Sequence, residues 1–183
     1  MPLEYGLIAY VDDPLAEFIA SLRRDLQPED VQAMGHISVL PPRPLRGDEA
    51  GALEFLEERC QAVQPFEVAL GEVENFIPRT PTVFIRVAQG AYRMRELHDR
   101  LNASAFEFNE PFPYMPHLTI FRMEDEGRAQ AAMSLAQRRW AEYAGPRRVL
   151  IDQLVFVRGS RQHGWADIAP VRLGRRLAPA GAP

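Results

Sequence analysis

Two kinds of apolar spacing alternate along the chain. LEYGLIAYV (3–11) is apolar, aromatic and β-branched, which predicts a strand. Asp13-Pro14 then offers an N-cap and a first-turn proline. Leu15, Phe18, Ile19, Leu22 and Leu26 follow at helical spacing. HISVL (36–40) returns to strand, and PPRP is expected to close it because proline carries no ladder donor. Residues 47–63 read as a helix with Leu53, Leu56, Cys60 and Val63 on one face, so Cys60 is expected to be a small core residue rather than a reactive thiol. Strands at 66–76 and 82–88 are joined by IPRTP. A helix over 91–105 carries Met94, Leu97 and Leu101, and the proline-punctuated loop 108–116 leads into HLTIF (117–121). A helix over 126–143 and the strands VLIDQLVFV and WADIAPVRL complete the pattern. Helices alternate with strands, yet neighbouring strands on short loops imply antiparallel pairs. The fold class is therefore α+β rather than a doubly wound parallel sheet. One domain is expected over 1–173, with 174–183 as a disordered tail.

Within this pattern one polar device occurs twice. His36 and Ser38 lie two places apart in HISVL, and His117 and Thr119 two places apart in HLTIF. The chain holds four histidines and eight serines and threonines, so random placement would give well under one such pair. Alternate strand residues share a face, so each histidine projects beside its hydroxyl partner while Ile37, Val39, Leu118 and Ile120 face a core. If the strands lie together, two imidazoles and two hydroxyls converge on a space the size of a phosphate. Two unrelated half-buried histidines satisfying backbone carbonyls would leave the repeat unexplained. Such groups facing a cleft without partners cost ~1–3 kcal/mol each.

Composition narrows the setting. The 183 residues are 46% hydrophobic and 25% charged, ordinary values for a globular protein. GLIAYV is the longest apolar run, far below the ~20 residues of a membrane span, so no membrane partner is expected. There is no secretory pattern at the start and a single cysteine, so a cytoplasmic location and no disulfide are expected. Net charge is −4, which argues against DNA or a long nucleic acid as partner. All 21 basic residues are arginines, spread along the chain as genome composition would spread them; Arg43, Arg46, Arg79 and Arg161 are where a local basic patch could form. Neither HExxH nor CxxC occurs and the histidines lack zinc spacing, so neither a metal nor another cofactor is expected. His98, on a helix beside its apolar face, and His163, in a polar loop, are weaker candidates for chemistry.

GHISVLPP and YMPHLTIFR together resemble the paired histidine-x-Ser/Thr motifs of the two-histidine phosphoesterases, the superfamily of 2′-5′ RNA ligase-like proteins and cyclic phosphodiesterases. The resemblance covers about residues 3–173 and includes the 81-residue separation of the motifs. It implies a bilobal fold, two antiparallel sheets related by a pseudo-twofold axis around a central groove. It implies metal-independent hydrolysis of 2′,3′-cyclic phosphates of nucleotides or RNA ends, to 2′-phosphates; a monomer is expected. Carried over by position, His117 is the base and His36 the acid, although the sequence alone leaves their roles interchangeable. Ser38, Thr119 and Arg122 are phosphate ligands, with Arg122 at odds with the strand parity of His117. Aromatic platforms for a base are expected at Phe76 or Phe84, whose plain alternative is core packing, or at Tyr114 or Trp165. The alternatives are 2′-5′ RNA ligation or 2′-5′ phosphodiester cleavage, and a non-catalytic module that binds nucleotides or RNA ends.

Overall fold

The computed structural model describes residues 3–26, 34–122, 126–160 and 164–174. Strand β1 (Glu4–Tyr10) leads to helix α1 (Leu15–Leu26), then β2 (His36–Arg43) and α2 (Glu49–Gln61). The hairpin β3 (Phe66–Asn75) and β4 (Thr82–Gln89) precedes α3 (Ala91–Leu101) and a short 3-10 turn, Ser104–Phe106. After β5 (His117–Arg122) come α4 (Glu126–Glu142), β6 (Arg148–Ile151), β7 (Gln153–Ser160) and β8 (Gly164–Arg172). Local chemistry sets the helix starts. The Asp13 carboxylate accepts from the Glu17 amide at 3.2 Å, and Asp48 caps α2 by accepting from the Gly51 amide at 2.8 Å.

The α+β class holds, and every strand pair is antiparallel. The strands form one eight-stranded sheet rather than two, in the order β6-β3-β4-β5-β2-β1-β7-β8. Its two four-stranded halves meet at the β2–β5 pair, whose register rests on the single pair Ile37↔Leu118. Laid flat, β6 and β7 would stand six spacings apart, roughly 29 Å at ~4.8 Å each. Only Asp152 separates them in the chain, so the sheet must twist and curl to bring its ends together.

Two sequence expectations need correction. VLIDQLVFV is not one strand: β6 pairs with β3 and β7 with β1, and Asp152 marks the crossing, its carbonyl accepting from the Leu173 amide at 2.8 Å. Apolar residues on both sides of Asp152 and Gln153 conceal that change of partner. PPRP does not end β2, which continues to Arg43. The β1–β2 register passes from Leu7↔Leu40 to Tyr5↔Arg43, leaving Pro41 and Pro42 in an irregular stretch that asks no ladder donor of them. The tail beyond 174 lies outside the described residues, as do Arg161 and His163.

The helices pack on one face of the sheet over a continuous core that includes Ile37, Val39, Leu118, Ile120, Leu22, Leu56, Leu97 and Trp140. Cys60 lies in it, fully buried, and burial pushes its thiol up to about 12, which keeps it protonated. A second, smaller apolar cluster, Ile8, Val155 and Val157, lies apart from this core with Tyr10 and Trp165 packed against it. Among the described residues no helix is long and apolar enough to cross a membrane.

Candidate active site

The Ile37↔Leu118 pair fixes the geometry at the middle of the sheet. One step to either side, the antiparallel register sets His36 opposite Thr119 and Ser38 opposite His117. Ile37 and Leu118 are buried toward the helices, and the four polar residues are half-buried on the other face. Two adjacent strands thus bring together the two motifs that the sequence keeps 81 residues apart.

The two histidines are held in the same way. His36 Nδ1 donates to the Met34 carbonyl at 2.9 Å, and His117 Nδ1 donates to the Met115 carbonyl at 2.7 Å. A carbonyl only accepts, so each Nδ1 carries the proton and each Nε2 is left as the basic nitrogen. Backbone-satisfying histidines are therefore present, and the bond occupies only one nitrogen of each ring. Burial pushes His36 below the ordinary histidine pKa; its bond to Met34 opposes this, while the charges of Arg23 and His117 push it lower still. Burial likewise lowers His117, with Arg122 adding to the effect and the Met115 bond opposing it. Both rings are neutral at pH 7, and an anion arriving between them would raise both.

A shared irregularity follows each motif. On β2 the register runs Ile8↔Ser38 then Leu7↔Leu40, so Val39 is extra. On β5 it runs Phe84↔Thr119 then Val83↔Phe121, so Ile120 is extra. These are β-bulges, which reset the alternation of faces. Ile120 and Phe121 are accordingly both buried, and Arg122 returns to the face of His117 and Thr119. The bulge answers the parity objection to Arg122. Its Nε donates to Thr82 Oγ1 at 3.3 Å.

Beyond the central strands the two sides differ. Next to His36, Tyr10 is its cross-strand neighbour, with the rings edge to face at 6.4 Å. The Tyr10 hydroxyl donates to Asp167 at 2.8 Å, and burial together with that carboxylate pushes its pKa up to about 12. A groove with about 590 Å³ of open space runs from His36 and Ser38 past Ile8 and Tyr10 to Val157 and Trp165. Next to His117 lie aromatic rings. Phe76 and Phe84 stack at 4.2 Å and both pack against the His117 ring, with centroids at 5.1 and 5.0 Å. Phe84 is only 1% exposed. Arg86 stands across from His117 and pairs with Glu74 at 3.5 Å.

The remaining candidates are placed as follows. Tyr114 stacks on His98 at 4.2 Å, and its hydroxyl donates to the Ser38 carbonyl at 2.7 Å. His98 is buried and bonded to Glu110 and Asp99. Arg43 cannot form a surface patch: it is fully buried, ion-paired with Glu110 and bonded to Asn102. Arg46 is paired with Glu107, and Arg79 lies over the Phe112 ring. Sequence reasoning passed over Tyr10, Arg86 and Arg23. Arg23 left a signal, since it stands four places after Ile19 on the apolar stripe of α1 and is 7% exposed. Among the described residues no three histidine, cysteine or carboxylate side chains converge as a metal ion would require.

This sheet and its duplicated motif match a known class. Residues 11–163 match the family model described as the 2′-5′ RNA ligase superfamily, and the chain belongs to that family. It is similar to a protein of Halalkalibacterium halodurans assigned as a phosphoesterase, 27% identical over 119 residues, which cover 64% of this chain and 69% of that one. A protein of Oceanobacillus iheyensis with the same assignment is 25% identical over 126 residues, 64% and 69% of the two chains. In fold the chain resembles Escherichia coli LigT. The structure of LigT complexed with ATP has a TM-score of 0.64 at 17% identity, over 95% of this chain and 99% of that one. The complex with 3′-AMP has a TM-score of 0.61 at 15% identity, over 96% and 100%.

Proposed function

We propose that this chain is a phosphodiesterase that opens 2′,3′-cyclic phosphates of nucleotides or RNA ends by two-histidine acid/base catalysis, with no metal ion in the step. The observation that carries the reading is the matched anchoring of His36 and His117. Each Nδ1 is bound to a carbonyl two residues upstream, and each Nε2 is left basic beside a hydroxyl on one face. A binding module would not need two imidazoles tuned alike. That relatives of the chain are assigned as phosphoesterases, and that LigT of similar fold has been captured with ATP and with 3′-AMP, supports a nucleotide as substrate.

In the proposed step the cyclic phosphate sits between the motifs. Its charge restores a proton to one imidazole while the other stays neutral. The neutral ring takes a proton from water as the water oxygen bonds to phosphorus. The protonated ring gives its proton to the ribose oxygen as the opposite P–O bond breaks. Ser38, Thr119 and Arg122 donate to the non-bridging oxygens, where charge grows. In-line attack puts the leaving ribose, and the base attached to it, on the side of the acid. A groove lies on the side of His36 and is lined by Tyr10 and Trp165, and the aromatic rings of Phe76 and Phe84 pack against His117. This asymmetry favours His36 as acid, His117 as base, and Trp165 as the surface against which the base stacks.

The test is to incubate the protein with 2′,3′-cyclic AMP and resolve the product by phosphorus NMR against both isomeric standards. One isomer, the 2′-phosphate, is expected. The 3′-phosphate alone would reverse the placement of the ribose, and no hydrolysis would reject the proposal.

A further inference from the structure

The two motif strands share only one register pair, so backbone carbonyls at their junction need donors from elsewhere. Two side chains supply them, one on each strand. The Tyr114 hydroxyl donates to the Ser38 carbonyl at 2.7 Å. Arg23, reaching from α1, donates through Nη2 to the Thr119 carbonyl at 2.6 Å and through Nε to the Ile120 carbonyl at 2.8 Å. The carbonyls held in this way belong to the hydroxyl residues of the two motifs, and on β5 also to the bulge residue that returns Arg122 to the site face.

Both donors are themselves fixed. Tyr114 lies flat on His98, with a 5° angle between the rings, and burial pushes its hydroxyl well above the ordinary tyrosine value, so it stays a donor. His98 is bonded to Glu110, which pairs with Arg43 at the end of β2; Arg43 also donates to the Pro41 carbonyl at 2.9 Å. The loop that delivers Tyr114 is thus tied back to the strand that Tyr114 holds. Arg23 is nearly buried, and its planar fork spans two successive carbonyls, which a lysine ammonium cannot do in one geometry.

We infer that Arg23 and Tyr114 are positioning residues: by holding the Thr119 and Ser38 carbonyls they set the spacing at which His36 and His117 face one substrate. Neither touches the reacting atoms. Arg23 has a second effect, because its charge helps to keep His36 neutral. Among the described residues, His117 on β5 and Tyr10 on β1 also face His36, the latter bonded to Asp167 on β8. This inference rests on the proposed phosphodiesterase reading, and its test has an arm that does not.

The experiment compares the full-length protein with Arg23→Lys, Arg23→Met and Tyr114→Phe. It measures turnover of 2′,3′-cyclic AMP and NMR titration of the histidine rings. Arg23→Lys keeps the charge and loses the fork; Tyr114→Phe keeps the stacking and loses the hydroxyl. Each is expected to lower kcat about tenfold with KM within about twofold, as a small misplacement of catalytic groups does. In both variants the Nε2 signals of His36 and His117 should move although no imidazole was changed. Arg23→Met should in addition shift the His36 titration upward, toward the ordinary ~6.5, and Arg23→Lys should not. If the wild-type protein turns over no cyclic nucleotide, the phosphodiesterase reading fails and the NMR arm still decides this one. If Arg23→Met does not fold, the two conservative variants decide it. Variants that melt earlier but keep kcat and both histidine signals would show a purely structural role and overturn the inference.

Discussion

Strands β2 and β5 carry the same chemistry in different surroundings. Each begins with a histidine tied through Nδ1 to the carbonyl two residues before it, places a hydroxyl two residues later, and bulges at the next residue. Around His36 lies an open groove with Tyr10, Val157 and Trp165. Around His117 lie packed aromatic rings, with Arg86 across the strand pair and Arg122 on the same face. Under the proposed reading the likeness suits an acid/base pair, since each ring has a fixed tautomer and a neighbouring hydroxyl. Under the same reading the groove beside His36 gives room for a ribose and its base. The motif is duplicated across this sheet and its surroundings are not.

The largest expected effect tests the likeness. His36→Ala and His117→Ala should each lower turnover by ~100-fold or more, the usual scale for losing a general acid or base, with folding retained. Steady-state kinetics on folded protein checks this, and near-wild-type turnover in either variant would break the pairing.

Next in size are two aromatic substitutions that test the difference. Phe84→Ala should cost about 3–5 kcal/mol of stability, because a fully packed ring is lost from beneath His117. Trp165→Ala should leave the melting temperature nearly unchanged and raise KM roughly tenfold, as the loss of one base-stacking surface does. Denaturant titration and kinetics distinguish them, and equal effects from both would mean that the two sides are not specialised.

The smallest effect is on stability against pH. Both histidines have pKa values lowered by folding. Each therefore contributes stability that is complete above the unfolded value of ~6.5 and is lost as pH falls through the folded value. Melting temperature should drop as pH falls below about 6.5, and His36→Asn should flatten part of that drop. An unchanged slope in the variant would show that His36 titrates normally.

What the sequence disclosed follows from the range of the interactions. Strand alternation is local, so His36, Ser38, His117 and Thr119 could be read as facing one way, and helical spacing exposed the core face of α1. The facing of Arg122 could not be read, because it depends on a bulge defined by the register against β4. Nor could the break at Asp152, since apolar residues run through both β6 and β7 and only their partners differ. Arg23 and Ile120 are 97 positions apart in the chain, and Arg43 and Glu110 are 67 apart, so no window along the chain contains both partners. The asymmetry between the groove and the packed aromatics was equally hidden: Phe76, Phe84, Tyr114 and Trp165 are alike as residue types and differ only in what surrounds them.

The central claim is that one neutral and one protonated imidazole act on the same phosphate. The pH dependence of kcat/KM for 2′,3′-cyclic AMP tests it most directly, because that ratio reports the essential groups of the free protein. The expected profile is a bell with both limbs below ~6.5, since burial lowers both histidines. In His36→Ala the alkaline limb, which reports loss of the acid, should disappear from the residual activity. A wild-type profile that rises to a plateau and never falls would mean that no protonated group is needed, and would contradict the two-histidine account.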